Sequence, residues 1–336
     1  MNEVHQLFGF AFFNGEAMIN HFWKPNALVL SGGGALGYAT VGALSGLTEG
    51  GIKLNNVRTV VGTSIGSVIG LFLCCGFSIM ELEQLILRTN MQDVIDSTND
   101  YRINDIDMLL EEYGVDDGSS FNAFLCDCLL SKNFDPRITF SELLSNYQRD
   151  LHVVAANVTN LSSVYFSAKS HPNLRVIDAV RMSISLPVRF TSPIFENGRM
   201  ADGGLKDNFA IQYTEKLMQD LFPGSNTFIV GVSTADDSRF ECQNLYEYLI
   251  NVVKCCLTNT IYPSIVQNHG PSRLIVNMQF DGIRIMDFGL TDQQKKQLVD
   301  DGKEKAHSSL LAFQDLEKTY VAAKYATVPH KRKLSV

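Results

Sequence analysis

The chain of 336 residues is 45% hydrophobic and 19% charged, a balance that suits a globular protein with a sizeable core and excludes a disordered or fibrous one. Its formal charge of -8 argues against a general nucleic-acid binder, which needs a basic face to meet phosphates. Length alone does not choose between one large domain and two ordinary ones.

Residues 1–25 read as an N-terminal extension. Their apolar patch, in "MNEVHQLFGFAFFNGEAMINHF", is flanked by acids and has no basic region before it, so it makes a poor signal peptide. "NALVLS" is short and β-rich and runs into glycine, as a buried parallel strand should. Gly32, Gly34 and Gly37 follow, matching G-x-G-x-x-G. Ala39, Ala43, Leu44 and Leu47 then recur at helical spacing up to "EGGI", and "VRTVVG" reads as a second strand. This β–loop–α–β unit implies a parallel sheet with a right-handed crossover. Residues 59–80 carry no charge and are long enough to span a bilayer. Gly62, Thr63, Ser64, Gly66, Ser67 and Gly70 crowd its first half, so a strand followed by a buried helix is expected instead.

Residues 78–150 are more polar and are expected to form a helical insertion. Phe121, Phe124, Leu125, Cys128 and Leu129 make a core stripe, and Thr139 with Glu142 gives a T-x-x-E capping box. Strands are expected at "LHVVAANVT", "SVYFSA", "TFIVGVST" and "RLIVNM". Between the second and third of these, "RVIDAVRMSISLPVRFTSPIF" reads as a helix closed by Pro187 and then an extended stretch. Thr291 and Gln294 form a second capping box, opening the charged helix "DQQKKQLVDDGKEKA". Residues 316–336 form a tail whose basic end, Lys331, Arg332 and Lys333, reads as a solvated terminus or a weak attraction to anionic lipid. The seven cysteines show no repeating spacing and read as reduced thiols in a cytosolic setting; no metal site is expected from them. With no repeat and no linker, one α/β domain with a helical insertion is the simplest organisation.

The second strand runs straight into Gly62-Thr63-Ser64-Ile65-Gly66, a G-x-S-x-G pentapeptide ahead of an apolar helix. That is the context of a nucleophile elbow, where serine sits on a tight strand-to-helix turn and glycines let the chains close around it. The first glycine loop has two readings. A dinucleotide site needs an acid near the end of the second strand, and the only acid between Gly37 and Gly62 is Glu49, which lies too early and within the helix. The amides of Gly33, Gly34 and Ala35 could instead form an oxyanion hole. For the base, His152 falls in an apolar strand pattern and His171 in a turn before Pro172, leaving His269 as the only serious triad candidate. Asp202, followed by Gly203 and Gly204 in "RMADGGLKDN", is a better one, because the glycines leave its carboxylate little shielded.

Together "SGGGALG" (31–37), "GTSIG" (62–66) and "DGG" (202–204) resemble the patatin-like phospholipases, over roughly residues 26 to 310. The resemblance extends to "ITFSELL", "AVRMSISLPVRF" and "DFGLTDQQKKQLVDDGKEKA". It implies a three-layer α/β/α fold with a mostly parallel sheet, a domain over 26–315 and the helical insertion at about 78–150. It further implies a Ser–Asp dyad, with Ser64 as nucleophile, Asp202 as base and the Gly33, Gly34 and Ala35 amides as the oxyanion hole. No cofactor, no calcium and no metal are implied. The implied substrate is a phospholipid or related lipid ester at a membrane surface, with no nucleic acid, and the setting is cytoplasmic or peripheral to membranes. Leu36 stands where many members have a basic residue, and Ala210 replaces a frequent proline, although Asn208 is kept. Two rivals remain: a dinucleotide-dependent oxidoreductase, and an inert patatin fold that binds lipid surfaces or partners.

Overall fold

The computed structural model describes residues 11–13, 16–18, 24–95, 103–238, 241–243, 245–265 and 272–326. β1 (Ala11–Phe13) and β2 (Glu16–Met18) pair with each other as a short antiparallel ribbon in the N-terminal extension. β3 (Ala27–Leu30), α1 (Gly37–Glu49) and β4 (Thr59–Thr63) form the expected β–loop–α–β unit, the two strands pairing in parallel. α2 (Ile65–Cys74) follows, so residues 59–80 divide into strand and buried helix. Among the described residues no helix is long and apolar enough to cross a membrane.

The insertion holds α3 (Ile79–Arg88), α4 (Met91–Ile95), α5 (Ile103–Glu112), α6 (Ser119–Ser131) and α7 (Phe140–Tyr147). It also holds a strand that the sequence reading lacks, β5 (Gly114–Asp116). Thr139 and Glu142 close the expected capping box on α7. The insertion shares the main core, since Leu82, Phe121, Leu125, Leu129 and Leu143 pack in one cluster with strand residues such as Leu28 and Val60.

β6 (Asp150–Asn157), β7 (Ser162–Phe166), α8 (Val176–Ser183), β8 (Val188–Phe190), β9 (Ile194–Phe195) and β10 (Gly198–Asp202) come next. α8 stops at Ser183, short of Pro187. Its end is set by tertiary bonding, because the carbonyls of Ser183 and Ser185 accept the amides of Gly203 and Asp202, at 3.2 and 2.8 Å. The chain finishes with α9 (Gly204–Asp207), α10 (Ile211–Leu221), β11 (Ile229–Asp236), α11 (Leu245–Ile265), β12 (Arg273–Phe280) and α12 (Asp292–Ala326). Thr291 and Gln294 cap α12 reciprocally, and the helix runs without a break past residue 315. Lys331, Arg332 and Lys333 lie outside the described residues.

β12, β11, β3, β4 and β6 pair in that order, all parallel; β10 and β9 extend the sheet antiparallel. Strand side chains alternate between two apolar layers. Leu28, Leu30, Val60, Val153 and Val230 face the larger core, while Ala27, Val29 and Ile229 meet Phe209, Ile211 and Met218 around α10 on the other face. Burial on both faces is why these strands read as continuous apolar runs.

One register feature positions the site. Along one side of β6, Asp150 to Val154 pair with β4, and Ala155 to Asn157 pair with β10. The other side of β6 is taken by β7 from Val153 to Asn157. β4 therefore ends at Thr63 opposite Val154, and β10, running the other way, ends at Asp202 opposite Ala155. The two strand ends abut.

Candidate active site

Ser64 occupies the tight turn between β4 and α2, at φ 51° and ψ -126°. A non-glycine residue rarely adopts positive φ, and such strain persists only where neighbours hold it. Here the Ser64 amide donates to Ser183 Oγ at 2.8 Å, and Ser183 Oγ donates in turn to the Val154 carbonyl at 2.5 Å. Close packing explains the flanking glycines. A side chain on Gly66 would strike the carbonyl of Ser31 at 2.6 Å, and one on Gly62 the α-carbon of Ser67 at 2.6 Å.

Asp202 reaches the elbow from the end of β10. Its Oδ2 accepts the Ser64 hydroxyl at 2.5 Å, and its Oδ1 accepts the Gly204 amide at 2.8 Å. The carboxyl is only 3% exposed. Burial pushes it up to about 6, against the lowering effect of the Ser64 and Gly204 hydrogen bonds. Gly203 crosses directly over the Val154 carbonyl, which leaves no room for a side chain.

The glycine loop lies beside this pair. Gly34 has φ +53°, a left-handed conformation suited to glycine, and Gly34–Leu36 form a short 3-10 turn leading into α1 at Gly37, which packs against Ile65. The Gly32 amide donates to the Asn208 carbonyl at 3.2 Å, tying the loop to the segment that follows Asp202. Among the described residues no acceptor takes the amides of Gly33 or Gly34. Ala35 differs from expectation: its amide donates to the Ile285 carbonyl at 2.8 Å and is not free to meet an oxyanion. Leu36 is fully buried, which accounts for an apolar residue there.

The histidines stand elsewhere. His152 is buried on β6 and shares a hydrogen bond with Tyr213 at 2.8 Å, while His171 bonds Ser170 and packs edge-on to Phe166 and Phe195. His269 lies outside the described residues. Glu49, the only acid between Gly37 and Gly62, sits at the far end of α1, a helix about 18 Å long, where it meets His307 at 3.3 Å.

Ser64, Asp202, Gly33 and Gly34 open onto a cavity whose remaining wall is mostly apolar, with Ile65, Met91, Phe121, Leu186, Phe190 and Phe288. Its polar lining includes Lys254 and Asp236, an ion pair at 3.0 Å that the sequence reading does not anticipate. Ser183, the residue fixing the elbow, is also absent from that reading, although it lies within the quoted "AVRMSISLPVRF".

The family described as patatin-like phospholipase matches residues 28–214, more than half of the chain. The chain belongs to the patatin-like phospholipase family. The match encloses both glycine motifs and the DGG turn. Relatives of this patatin-like chain include uncharacterized protein R571 of Acanthamoeba polyphaga mimivirus, 29% identical over 82% of this chain and 90% of the relative. Another is probable lipid hydrolase 463L of Invertebrate iridescent virus 6, 29% identical over 72% of this chain and 81% of the relative. VipD from Legionella pneumophila shares the fold, with a TM-score of 0.56 at 16% identity, covering 90% of this chain and 70% of that one.

Proposed function

We propose that the protein is a serine acyl hydrolase of phospholipase A type, cleaving ester bonds of glycerophospholipids or related lipids. The observation that carries this reading is the 2.5 Å hydrogen bond from Ser64 Oγ to a buried Asp202, both lining an apolar cavity. Family membership supports lipid-ester hydrolysis as the reaction class.

In this mechanism Ser64 Oγ bonds to the ester carbonyl carbon while its proton passes to Asp202 Oδ2. The carbonyl electron pair moves onto oxygen, where the amides of Gly33 and Gly34 receive it; one such donor is typically worth about 3 to 4 kcal/mol. Collapse of the adduct expels the alcohol, which takes the proton from Asp202, and leaves the acyl group on Ser64. Water then attacks the acyl-enzyme as Asp202 takes its proton, releasing the fatty acid and restoring Ser64. The raised affinity of Asp202 for a proton suits it to this work, since an ordinary carboxylate is a weak base toward serine. The apolar wall suits an acyl chain.

A fluorogenic phospholipid assay tests the reading, run on wild type, Ser64→Ala and Asp202→Asn with fluorophosphonate labelling alongside. Hydrolysis by wild type only, with the label on Ser64, is expected. Turnover surviving either substitution overturns the dyad.

A further inference from the structure

α11 packs on the core through Val253 and Leu257 and turns a mixed face inward. Glu247, Ile250 and Lys254 line a polar cavity, and Lys254 and Leu257 also line the cavity that holds Ser64. The opposite face carries Leu245, Tyr248, Val252, Cys255 and Cys256, at helical spacings of 3, 4, 3 and 1, which fall within about 100° of arc. Leu245, Tyr248 and Val252 are 71%, 56% and 45% exposed, and both cysteines are exposed. The stripe contains no charge. A large apolar strip left open to solvent marks an interaction surface.

We propose that this stripe is the face by which the protein docks on a lipid surface, α11 lying in the plane of the interface with its inner face against the Ser64 cavity. The choice of lipid as occupant rests on the lipid-hydrolase reading above. A lipid ester must leave an apolar phase to reach Ser64, and the helix that carries the apolar stripe also lines the Ser64 cavity through Lys254 and Leu257. Charge selects the kind of surface. A chain of net charge -8 is repelled by anionic lipid, and an uncharged stripe offers nothing to offset that, so the stripe's partner is a zwitterionic surface such as phosphatidylcholine, whatever weak attraction to anionic lipid Lys331, Arg332 and Lys333 add at the C-terminus. Tyrosine suits the headgroup level. Glu247 and Lys254 on the inner face keep α11 on the surface rather than through it, in line with the absence of any membrane-crossing helix among the described residues. Among its described residues the helical insertion offers no equivalent stripe: its exposed Met80, Leu110, Leu130 and Tyr147 lie on four different helices, and Tyr113 falls between α5 and β5.

The test floats full-length Ser64→Ala protein, which leaves lipid intact, with phosphatidylcholine vesicles. It compares a stripe variant (Leu245→Gln, Tyr248→Gln, Val252→Gln) with an insertion variant (Met80→Gln, Leu110→Gln, Leu130→Gln). The stripe variant is expected to lose vesicle partitioning by more than about tenfold while the insertion variant keeps it. With Ser64 restored, the stripe variant is expected to hydrolyse a soluble short-chain ester as wild type does and to lose activity on vesicles. Parent protein that does not float, equal flotation of the stripe variant, or loss confined to the insertion variant overturns the proposal. So does a wild-type dimer that the stripe variant converts to monomer with vesicle binding unchanged, which assigns the stripe to a second copy of the chain. Wild type that hydrolyses no ester but floats through the stripe overturns the hydrolase reading and leaves the docking face standing.

Discussion

At Asp202 two effects compete: burial disfavours the carboxylate, while hydrogen bonds from Ser64 and Gly204 favour it. Burial prevails, so the carboxyl titrates at about 6 and loses its base form below that. Activity on a soluble ester is therefore expected to climb through pH 6 and level above it; a rate profile with no inflection between pH 5 and 7 sinks this account. Stability runs the other way. The folded chain holds this proton to higher pH than the unfolded chain, whose carboxyl titrates near 3.8. The burial cost is absent in acid, grows as pH rises from about 3.8 to about 6, and is complete above that. Two units at about 1.4 kcal/mol each set its scale at about 3 kcal/mol. Asp202→Asn is thus expected to be inactive yet to melt higher than wild type at pH 7.5, with the gap closing toward pH 4 in thermal melts. Ser183 makes a different case, because it touches Ser64 through the backbone and not through the reacting atoms. Ser183→Ala leaves the Ser64 amide and the Val154 carbonyl without that hydroxyl. A cost of about 1–3 kcal/mol and a fall in kcat at constant KM are expected, and an unchanged kcat counts against a positioning role. Ser64 and Asp202 stood out in the sequence because adjacent glycines mark them, and the fold brings the two side chains together. Ser183 was not, since a serine at the end of an apolar helix looks like any other and its partner is 119 residues away. The Ala35 amide was misjudged for the same reason, being claimed by Ile285, which no local pattern connects to it.

Among the elements, those whose ends are set by neighbouring residues were read most closely. Both capping boxes formed as the T-x-x-E and T-x-x-Q spacings require. β5 was missed because three residues carry no periodicity, and the strand exists only through its parallel partner β8. α12 was recognised at its start, but its packing was hidden. Gly302 stands in the charged stretch "VDDGKEKA", where a glycine weakens a helix. Its place in the fold explains it: a Cβ there would press into the carbonyl of Ala39 and lie 2.8 Å from the amide of Ala43, so α12 and α1 meet backbone to backbone. Helix propensity alone says that Gly302→Ala gains about 1 kcal/mol. Overpacking against rigid backbone costs typically about 1–3 kcal/mol, and the contact is with backbone rather than a side chain that can swing away. A net loss of stability is expected in urea denaturation. A gain of the size propensity gives shows that the two helices can separate at no cost.

Across the whole molecule, the parallel half of the sheet was legible because strands buried on both faces leave unbroken apolar runs. The antiparallel end was not, for β9 and β10 are short and their pairing depends on where β6 presents its last three residues. That arrangement makes the site a property of the fold rather than of either motif. The Ser64 elbow and the DGG turn are 138 residues apart in sequence, and what brings them to 2.5 Å is β6, which pairs with β4 along its first five residues and with β10 along its last three. A change in register of one residue on either strand moves one partner by about 3.3 Å, beyond hydrogen-bond reach. The site and the sheet should therefore be lost together. Fluorophosphonate labelling of Ser64, followed across a urea titration, is expected to fall with the same midpoint as the far-ultraviolet circular dichroism signal, because no partly folded form that separates β4 or β10 from β6 retains the dyad. Labelling that disappears well below the main transition means that the glycine loop or α11 opens first, and the sheet alone does not then hold the site together.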